Sequence, residues 1–252
     1  ACHMQSNSPY SGKQTQIVGR DGNRKTHLLA IMLHPSETVE NWCWFFGNCI
    51  KAGIALSEKP IQSDRGHQRG AQLALNECGI TISLKFCILH IINNILHRFD
   101  KLKLQGKVLS SLVYKVQKSE NITKYEEALT ALARTFSTPL ITKDSHGNVV
   151  EEYVHQYVMK IHPTSFCVFA NDEYMTVETK RYLDEHWYGE PSYGDPKPLF
   201  GWSCSTANEG EHNGMTFDTS RKCGPLTILE KWCERANDRV VQLLKSTKQV
   251  RG

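Results

Sequence analysis

The amino-acid sequence predicts an α/β fold in which a mostly parallel sheet carries helices on its faces and an antiparallel pair at its edge. The first observation is the order of patterns over the first hundred residues, which is hairpin, helix, strand, helix, strand, helix. Such alternation is typical of parallel sheets, because a crossover helix returns the chain to the start of the next strand. The second is size, since 252 residues with 40% hydrophobic content can fill one large domain or two small ones.

A hairpin and a helix open the chain. The β-branched run at 15–19 and the apolar run at 26–33 predict two strands, and the Asp-Gly and Asn between them are strong turn residues. Pro35 ends the second strand. Thr38 is a candidate N-cap for the helix that follows, because its hydroxyl can accept from a backbone N–H of the first turn.

A strand, a helix, a strand and a helix come next. Residues 59–64 predict a short strand that ends at Asp64. Helical spacing of apolar residues predicts helices over 71–78 and 89–99, and strict alternation predicts a strand over 80–86. These elements complete the alternating α/β pattern.

The second half of the chain has a different character. Residues 100–160 are rich in Lys, Gln and Ser and carry a helical pattern at 125–136, so we expect a mainly helical insertion over 101–197. The last clear element is a long helix over 224–245, which Pro225 opens at a position where proline is well tolerated.

Composition favours a soluble intracellular protein. A charged fraction of 22% and a net charge of +4 permit a polyanionic partner without showing one. Nine cysteines at scattered spacings, no signal peptide and no apolar stretch near about 18 residues predict reduced thiols and no membrane span. The basic residues, Arg65 and Arg69 among them, are spread along the chain, which is typical of a solvated surface. They would supply affinity if the partner were DNA.

Asp64 is the first candidate for chemistry. The segment "IQSDRGHQRGAQLAL" places it at the end of a predicted strand, where ligands bind in open α/β sheets. An aspartate there is most often a turn or N-cap residue, so a functional role requires partner carboxylates. With such partners, divalent ions such as Mg²⁺ could clamp the attacking and leaving oxygens of a phosphodiester exchange.

Two further segments carry candidate residues. Cys87 and His90 stand three residues apart in "FCILHIINN", and His97 follows two turns later. Taken alone they predict a buried structural pair, with a zinc site as the alternative if further ligands were present. The polar segment "CSTANEGEHNGM" carries Glu209 and Glu211, and alone it predicts a solvated loop or helix start.

Taken together and in order, these segments resemble the transposases of Mutator-like elements (MULE). The segment "QIVGRDGNRKTHLLAIMLHPSETVENWCWFF" resembles the hairpin and helix of the family, and "IQSDRGHQRGAQLAL" resembles its second catalytic aspartate motif. The segment "FCILHIINNI" resembles its C-x-x-H helix. "STANEGEHNGM" with "SRKCGPLTILEKW" resembles the segment with the third acidic residue. The resemblance covers residues 1–100 and 198–240, and the middle is poorly matched.

The resemblance implies an RNase H-like mixed sheet with flanking helices, interrupted by a mostly helical insertion. Residues 1–100 would form the first part of this catalytic core, and 101–197 would form the insertion. Residues 198–252 would end the core, supply the third acidic residue and form a C-terminal helix.

The resemblance also implies a site. Asp64 and Glu211 would be catalytic carboxylates that bind Mg²⁺ or Mn²⁺, with Glu209 as the second choice for the glutamate. Cys87 and His90 would form a structural or accessory motif. The spacing around the glutamate is irregular, because counting from the neighbouring asparagines favours Glu211 on one side and neither residue on the other.

The first aspartate of the family's triad has no match here. In the family it opens a short motif of the kind Asp-Gly-Thr-His or Asp-Ala-Cys-His. Ala1, Cys2 and His3 stand where the three residues after that aspartate would be. We therefore expect a truncated sequence that lacks one metal-binding carboxylate and is inactive as given. Asp21 matches the hairpin turn and does not replace the missing residue.

Two functions follow as expectations. The first is metal-dependent DNA cleavage and strand transfer in the nucleus, with transposon ends and target DNA as partners, no membrane, and possible homo-oligomers. The alternative is a domesticated or decayed transposase that binds DNA or protein without catalysis. A zinc module built on Cys87, His90 and His97 is a third hypothesis.

Overall fold

The chain is a mixed α/β protein, and its described residues form eight α-helices and small sheets. The computed structural model describes residues 2–3, 11–20, 25–171, 174–187, 197, 199 and 223–250. The chain divides into two compact units, one formed by Ala1–Ile54 with Ser205–Gly252 and the other by Ala55–Cys204. No described helix is both long and apolar enough to cross a membrane.

The first unit contains an antiparallel sheet in the order β1-β2-β3. The strands are β1 (Cys2–His3), β2 (Lys13–Arg20) and β3 (Thr26–His34), and the helices are α1 (Val39–Lys51) and α8 (Pro225–Val250). The β2–β3 pair confirms the predicted hairpin, since Lys13 pairs with His34 and Arg20 with Thr26. The predicted turn at 21–23 lies outside the described residues.

Local signals in the sequence explain both helices of this unit. The side chain of Thr38 caps α1 by accepting from the Asn41 N–H at 3.2 Å, as predicted. Helix α8 begins at Pro225 and buries Ile228 and Trp232 against three partly buried apolar residues of β3. These residues are Leu28, Ile31 and Leu33.

The second unit begins with a parallel strand pair and two helices. The elements are β4 (Pro60–Ser63), α2 (His67–Glu77), β5 (Ser83–Phe86) and α3 (Ile88–Arg98). The pairing is in register from Pro60 with Ser83 to Ser63 with Phe86. All four residues of β5 are buried, as expected for a parallel strand covered on both faces. The predicted alternation of strands and helices is confirmed here.

Helices dominate the rest of the second unit. The elements are α4 (Gly106–Gln117), α5 (Ile122–Thr135), β6 (Leu140–Lys143), β7 (Val149–Glu152), α6 (Val154–Met159) and α7 (Val177–His186). The antiparallel β6–β7 pair was not predicted. One hydrophobic core joins α3, α4 and α5 to the segment that ends at Trp187. Tyr125 lies inside it, with its ring 4.8 Å from that of Phe169.

A buried lysine ties β5 to the region after α6. Lys85 is fully buried, and its Nζ donates to the Thr164 carbonyl at 2.7 Å and to Asn171 Oδ1 at 2.5 Å. The Asn171 amide donates in turn to the carbonyls of Thr164 and Cys167. A buried ammonium needs such acceptors, because losing its hydration without replacement would be costly.

The finer fold predictions remain predictions. The described strands form three separate small sheets, in the order β1-β2-β3, β4-β5 and β6-β7. A single RNase H-like mixed sheet is therefore a proposal and not an observation. The sequence predicts a core formed by 1–100 and 198–252, with an insertion over 101–197. The two compact units divide the chain at other positions. The predicted insertion also stays a prediction.

Tyr125 provides a test of the helical core. Its hydroxyl is buried and has no hydrogen-bond partner among the described residues. Removing an unsatisfied buried hydroxyl relieves a desolvation cost, so Tyr125→Phe should raise the free energy of unfolding by about 1 kcal/mol. Tyr125→Ala should lower it by about 3–5 kcal/mol, because a large cavity replaces the ring. Urea denaturation checks both, and a Tyr125→Phe variant that loses more than 1 kcal/mol would show that the hydroxyl has a partner.

Candidate functional site

Asp64 lies directly after β4, at the carboxyl end of the parallel pair. The Cys87 N–H donates to the Ser63 carbonyl at 2.9 Å, so the strand pairing continues to the residue before Asp64. This hydrogen bond places the start of α3 at the same end of the strand pair as Asp64. The Asp64 side chain is 44% exposed, which leaves its carboxylate available to a ligand.

His90 is the immediate partner of Asp64. Its Nδ1 lies 2.9 Å from Asp64 Oδ1, an ion-pair distance. At this distance the imidazole and the carboxylate form a charge-assisted contact. The structure therefore brings together two of the predicted site residues, although they are separated by a helix and a strand in the sequence.

The contact changes the titration of His90. Interaction with the Asp64 side chain, followed by that with Cys87, raises the pKa of His90 from 6.5 to about 10, while partial burial opposes the rise. His90 is therefore an imidazolium at neutral pH, and it balances the negative charge of Asp64. Because the pKa is raised on folding, its stabilising effect is complete below about pH 6.5 and is lost as the pH rises toward 10.

Cys87 also interacts with His90, from the start of the same helix. It is fully buried and forms the N-cap of α3, while its carbonyl accepts from Ile91 N–H at 3.1 Å. His90 is in the first turn of that helix. The predicted C-x-x-H pair is thus one unit, in which the buried thiol and the half-buried imidazole interact.

Arg65 links Asp64 to the helical part of the second unit. Its guanidinium donates to the hydroxyl of Tyr157 on α6 and stacks over the same ring at 5.1 Å from the centroid. Tyr157 in turn makes an edge contact with Phe99. The loop that carries Asp64 is therefore held from a helix 92 positions further along the chain.

A cavity of about 360 Å³ opens beside Asp64. It is lined by Asp64, Arg65, Gly66, Arg69, His90 and Asn94. Among these residues one carboxylate faces two guanidinium groups and one imidazolium, so the local charge is positive. The described part of the site therefore attracts anions more strongly than cations.

The described residues do not complete a metal site. They contain no group of three or more His, Cys, Asp or Glu side chains that could hold a metal ion. Cys87, His90 and His97 are all described, so they do not form the hypothetical zinc set. Glu211 and Glu209 lie outside the described residues. A Mg²⁺ or Mn²⁺ ion needs oxygen ligands, and Asp64 alone among the lining residues supplies a carboxylate.

Sequence reasoning missed part of this cavity. Arg65 and Arg69 are four residues apart around the start of α2, and Asn94 is four residues after His90 on α3. The i, i+4 spacing could have placed each pair on one side of its element. The contact with Tyr157 has no comparable local signal, because it joins distant segments.

Comparison with known proteins adds no family, since no family model, curated protein or solved structure matches the chain. The resemblance to MULE transposases therefore rests on the sequence segments alone. It remains a proposal about the protein.

The titration of His90 tests the geometry of the site. In the unaltered protein we expect the His90 ring to titrate far above 6.5, and in Asp64→Asn its pKa should fall toward that value, because the main source of stabilising charge is gone. Heteronuclear NMR of the imidazole resonances, recorded from about pH 3 to about pH 11, measures both, because this range includes the expected pKa of about 10.

His162 is the internal control in the same spectra. Burial, followed by the nearby Lys85 charge, lowers the pKa of His162 to about 4, and Asp64→Asn should leave it unchanged. A His90 ring that titrates near 6.5 in the unaltered protein would contradict the ion pair.

Proposed function

We propose that this chain is a transposase-derived catalytic core for DNA cleavage and strand transfer, of the kind found in MULE transposases. The observation that carries the proposal is the position of Asp64, displayed at the carboxyl end of a parallel strand pair beside the C-x-x-H pair. An isolated turn aspartate would not need a buried cysteine, a histidine and an anchored arginine around it. Ligand sites of open α/β sheets lie at such strand ends.

The proposed reaction has two steps. Water first hydrolyses the P–O3′ bond of a phosphodiester at a transposon end, which leaves a 3′-hydroxyl and a 5′-phosphate. That hydroxyl then attacks a phosphodiester of target DNA, forms a new P–O bond and displaces the 3′-oxygen of the target strand as a hydroxyl. Both steps develop negative charge on phosphate oxygens, which fixed positive groups can stabilise. Arg65 and Arg69 line the cavity next to Asp64 and are positioned to face such oxygens. DNA is accordingly the proposed partner, the nucleus is the proposed location, and a homo-oligomer is the proposed assembly.

The proposed cofactor is Mg²⁺ or Mn²⁺, which the resemblance assigns to Asp64 and Glu211, with Glu209 as the second choice. The lining residues that the structure describes do not fit such an ion by themselves, because they combine one carboxylate with three positive groups. Further carboxylates would have to join Asp64. In this proposal Asp64 presents a carboxylate and His90 balances its charge. Arg65 holds a phosphate of the DNA.

One observation favours the alternative, a decayed or domesticated transposase that binds DNA or protein without cleaving. Asp64 is already neutralised by His90, and the surrounding cavity is positively charged. A pocket of this kind can hold a nucleic-acid phosphate without any catalysis. The two functions differ in whether Asp64 is needed for turnover.

A cleavage assay separates them. The protein, expressed from its complete reading frame, should nick supercoiled DNA when Mg²⁺ or Mn²⁺ is present and not in EDTA. Asp64→Asn should lower the nicking rate by about 100-fold or more, because the carboxylate presented at the phosphodiester exchange is lost. Gel electrophoresis of the plasmid forms measures the rate.

Asp184→Asn is the matched control, since Asp184 is an exposed aspartate on α7 of the same unit. It should nick like the unaltered protein. Nicking that survives in Asp64→Asn removes the catalytic assignment. Absence of nicking in all variants, together with retained DNA binding, favours the non-catalytic alternative.

A further inference from the structure

The cavity beside Asp64 has the charge and the shape of an anion site. Its volume of about 360 Å³ exceeds what a single phosphate needs, and its wall contains no apolar side chain. Two of its six lining residues are arginines, whose guanidinium groups stay charged at any pH that proteins tolerate. One carboxylate cannot neutralise both, so the two guanidinium groups alone make the cavity positive.

The arginine side chains are set in place before any ligand arrives. Arg65 is fixed by its hydrogen bond and stacking contact with Tyr157, and it is only partly exposed. Arg69 lies one turn into α2 and is also partly buried. Guanidinium groups recognise phosphate oxygens in a fixed fork geometry, and pre-positioned side chains lose less entropy on binding.

The backbone adds to the same preference. Gly66 is the N-cap of α2, where no side chain accepts from the first N–H groups, and the first turn of α2 carries no acidic residue. The positive end of the dipole of an eleven-residue helix therefore lies on the side of the cavity that Gly66 lines. The exposed amide of Asn94 supplies a further donor on the α3 side.

We propose that the side chains of Arg65, Arg69 and Asn94 bind a phosphate group beside Asp64, near the N-terminal end of α2 and without a metal ion. The Asp64 carboxylate is the one unfavourable neighbour in this cavity. It lies at the edge of the site, where it contacts His90. The inference rests on the proposed function only for the identity of the phosphate, which would belong to the DNA backbone.

Binding of inorganic phosphate in EDTA tests the site. Addition of phosphate should shift the NMR signals of residues 64–69 and 90–94, and Arg69→Gln should weaken the affinity about tenfold, because a charge-assisted hydrogen bond is lost. Arg65→Gln should do the same, and Asp64→Asn should tighten binding, because it removes the repelling charge. Circular dichroism checks that each variant is folded. If Arg65→Gln does not fold, the affinity of Arg69→Gln alone tests the proposal.

A second surface cavity of the unit is the matched control. It is lined by Val177, Lys180, Arg181, Asp184 and Glu185, so its two basic side chains are balanced by two acidic ones. The Lys180→Gln, Arg181→Gln double variant should bind phosphate as the unaltered protein does. Equal shifts at α7 and at 64–69, or an affinity that Arg69→Gln does not change, would overturn the proposal.

An oligonucleotide arm identifies the source of the phosphate. A short single-stranded DNA without terminal phosphates should compete with inorganic phosphate for the same residues. If it does not compete, the site takes a free phosphate and the assignment to DNA is overturned. Nicking that depends on Asp64 without phosphate binding at Arg69 would refute this inference and leave the proposed function standing. Phosphate binding without nicking would do the reverse.

Discussion

The parallel pairing of β4 with β5 is the constraint on which the site depends. It sets Ser63 opposite Phe86 and allows the Cys87 N–H to reach the Ser63 carbonyl. Asp64 and the first turn of α3 therefore emerge at the same end of the pair. A shift of one residue in this register would turn Asp64 to the other face and separate it from His90. The buried Lys85 secures β5 from its other side, through Thr164 and Asn171.

The electrostatics of the site follow from this placement. Asp64 has one positive partner in His90, and two arginines line the cavity beside it. Such an excess of positive charge prepares the site for phosphate and makes a divalent ion dependent on further carboxylates. The same arrangement can therefore serve a nuclease whose other acidic residues join Asp64, or a DNA-binding module that has lost them. The anchoring of Arg65 by Tyr157 ties either function to the packing of the helical region.

Local patterns predicted much of the fold. Turn residues and apolar runs predicted the β2–β3 hairpin, a capping threonine predicted the start of α1, and apolar spacing predicted α2 and α3. The β6–β7 pair escaped, because its strands have four residues each and expose Ile141, Val149 and Val150. A strand of that length and exposure has no apolar period to detect.

The site was predictable only in part, for a physical reason. Asp64, Cys87 and His90 each follow or begin an element with a strong local signal, so their convergence could be inferred from the order of strands and helices. The charge balance around Asp64 could not be inferred from the sequence, because it depends on which arginines line the cavity. The contact of Arg65 with Tyr157 and that of Lys85 with Asn171 join segments about 80 to 90 positions apart. Periodicity carries no information on such contacts, since tertiary packing decides them.

The central proposal is that Asp64 is a catalytic carboxylate presented at the carboxyl end of the β4–β5 pair. The most direct measurement is anomalous diffraction from crystals of the protein grown with Mn²⁺ and a DNA oligonucleotide. The account predicts an anomalous peak in contact with the Asp64 carboxylate and at least one further carboxylate, next to a DNA phosphate. A map without manganese at Asp64 would contradict the account.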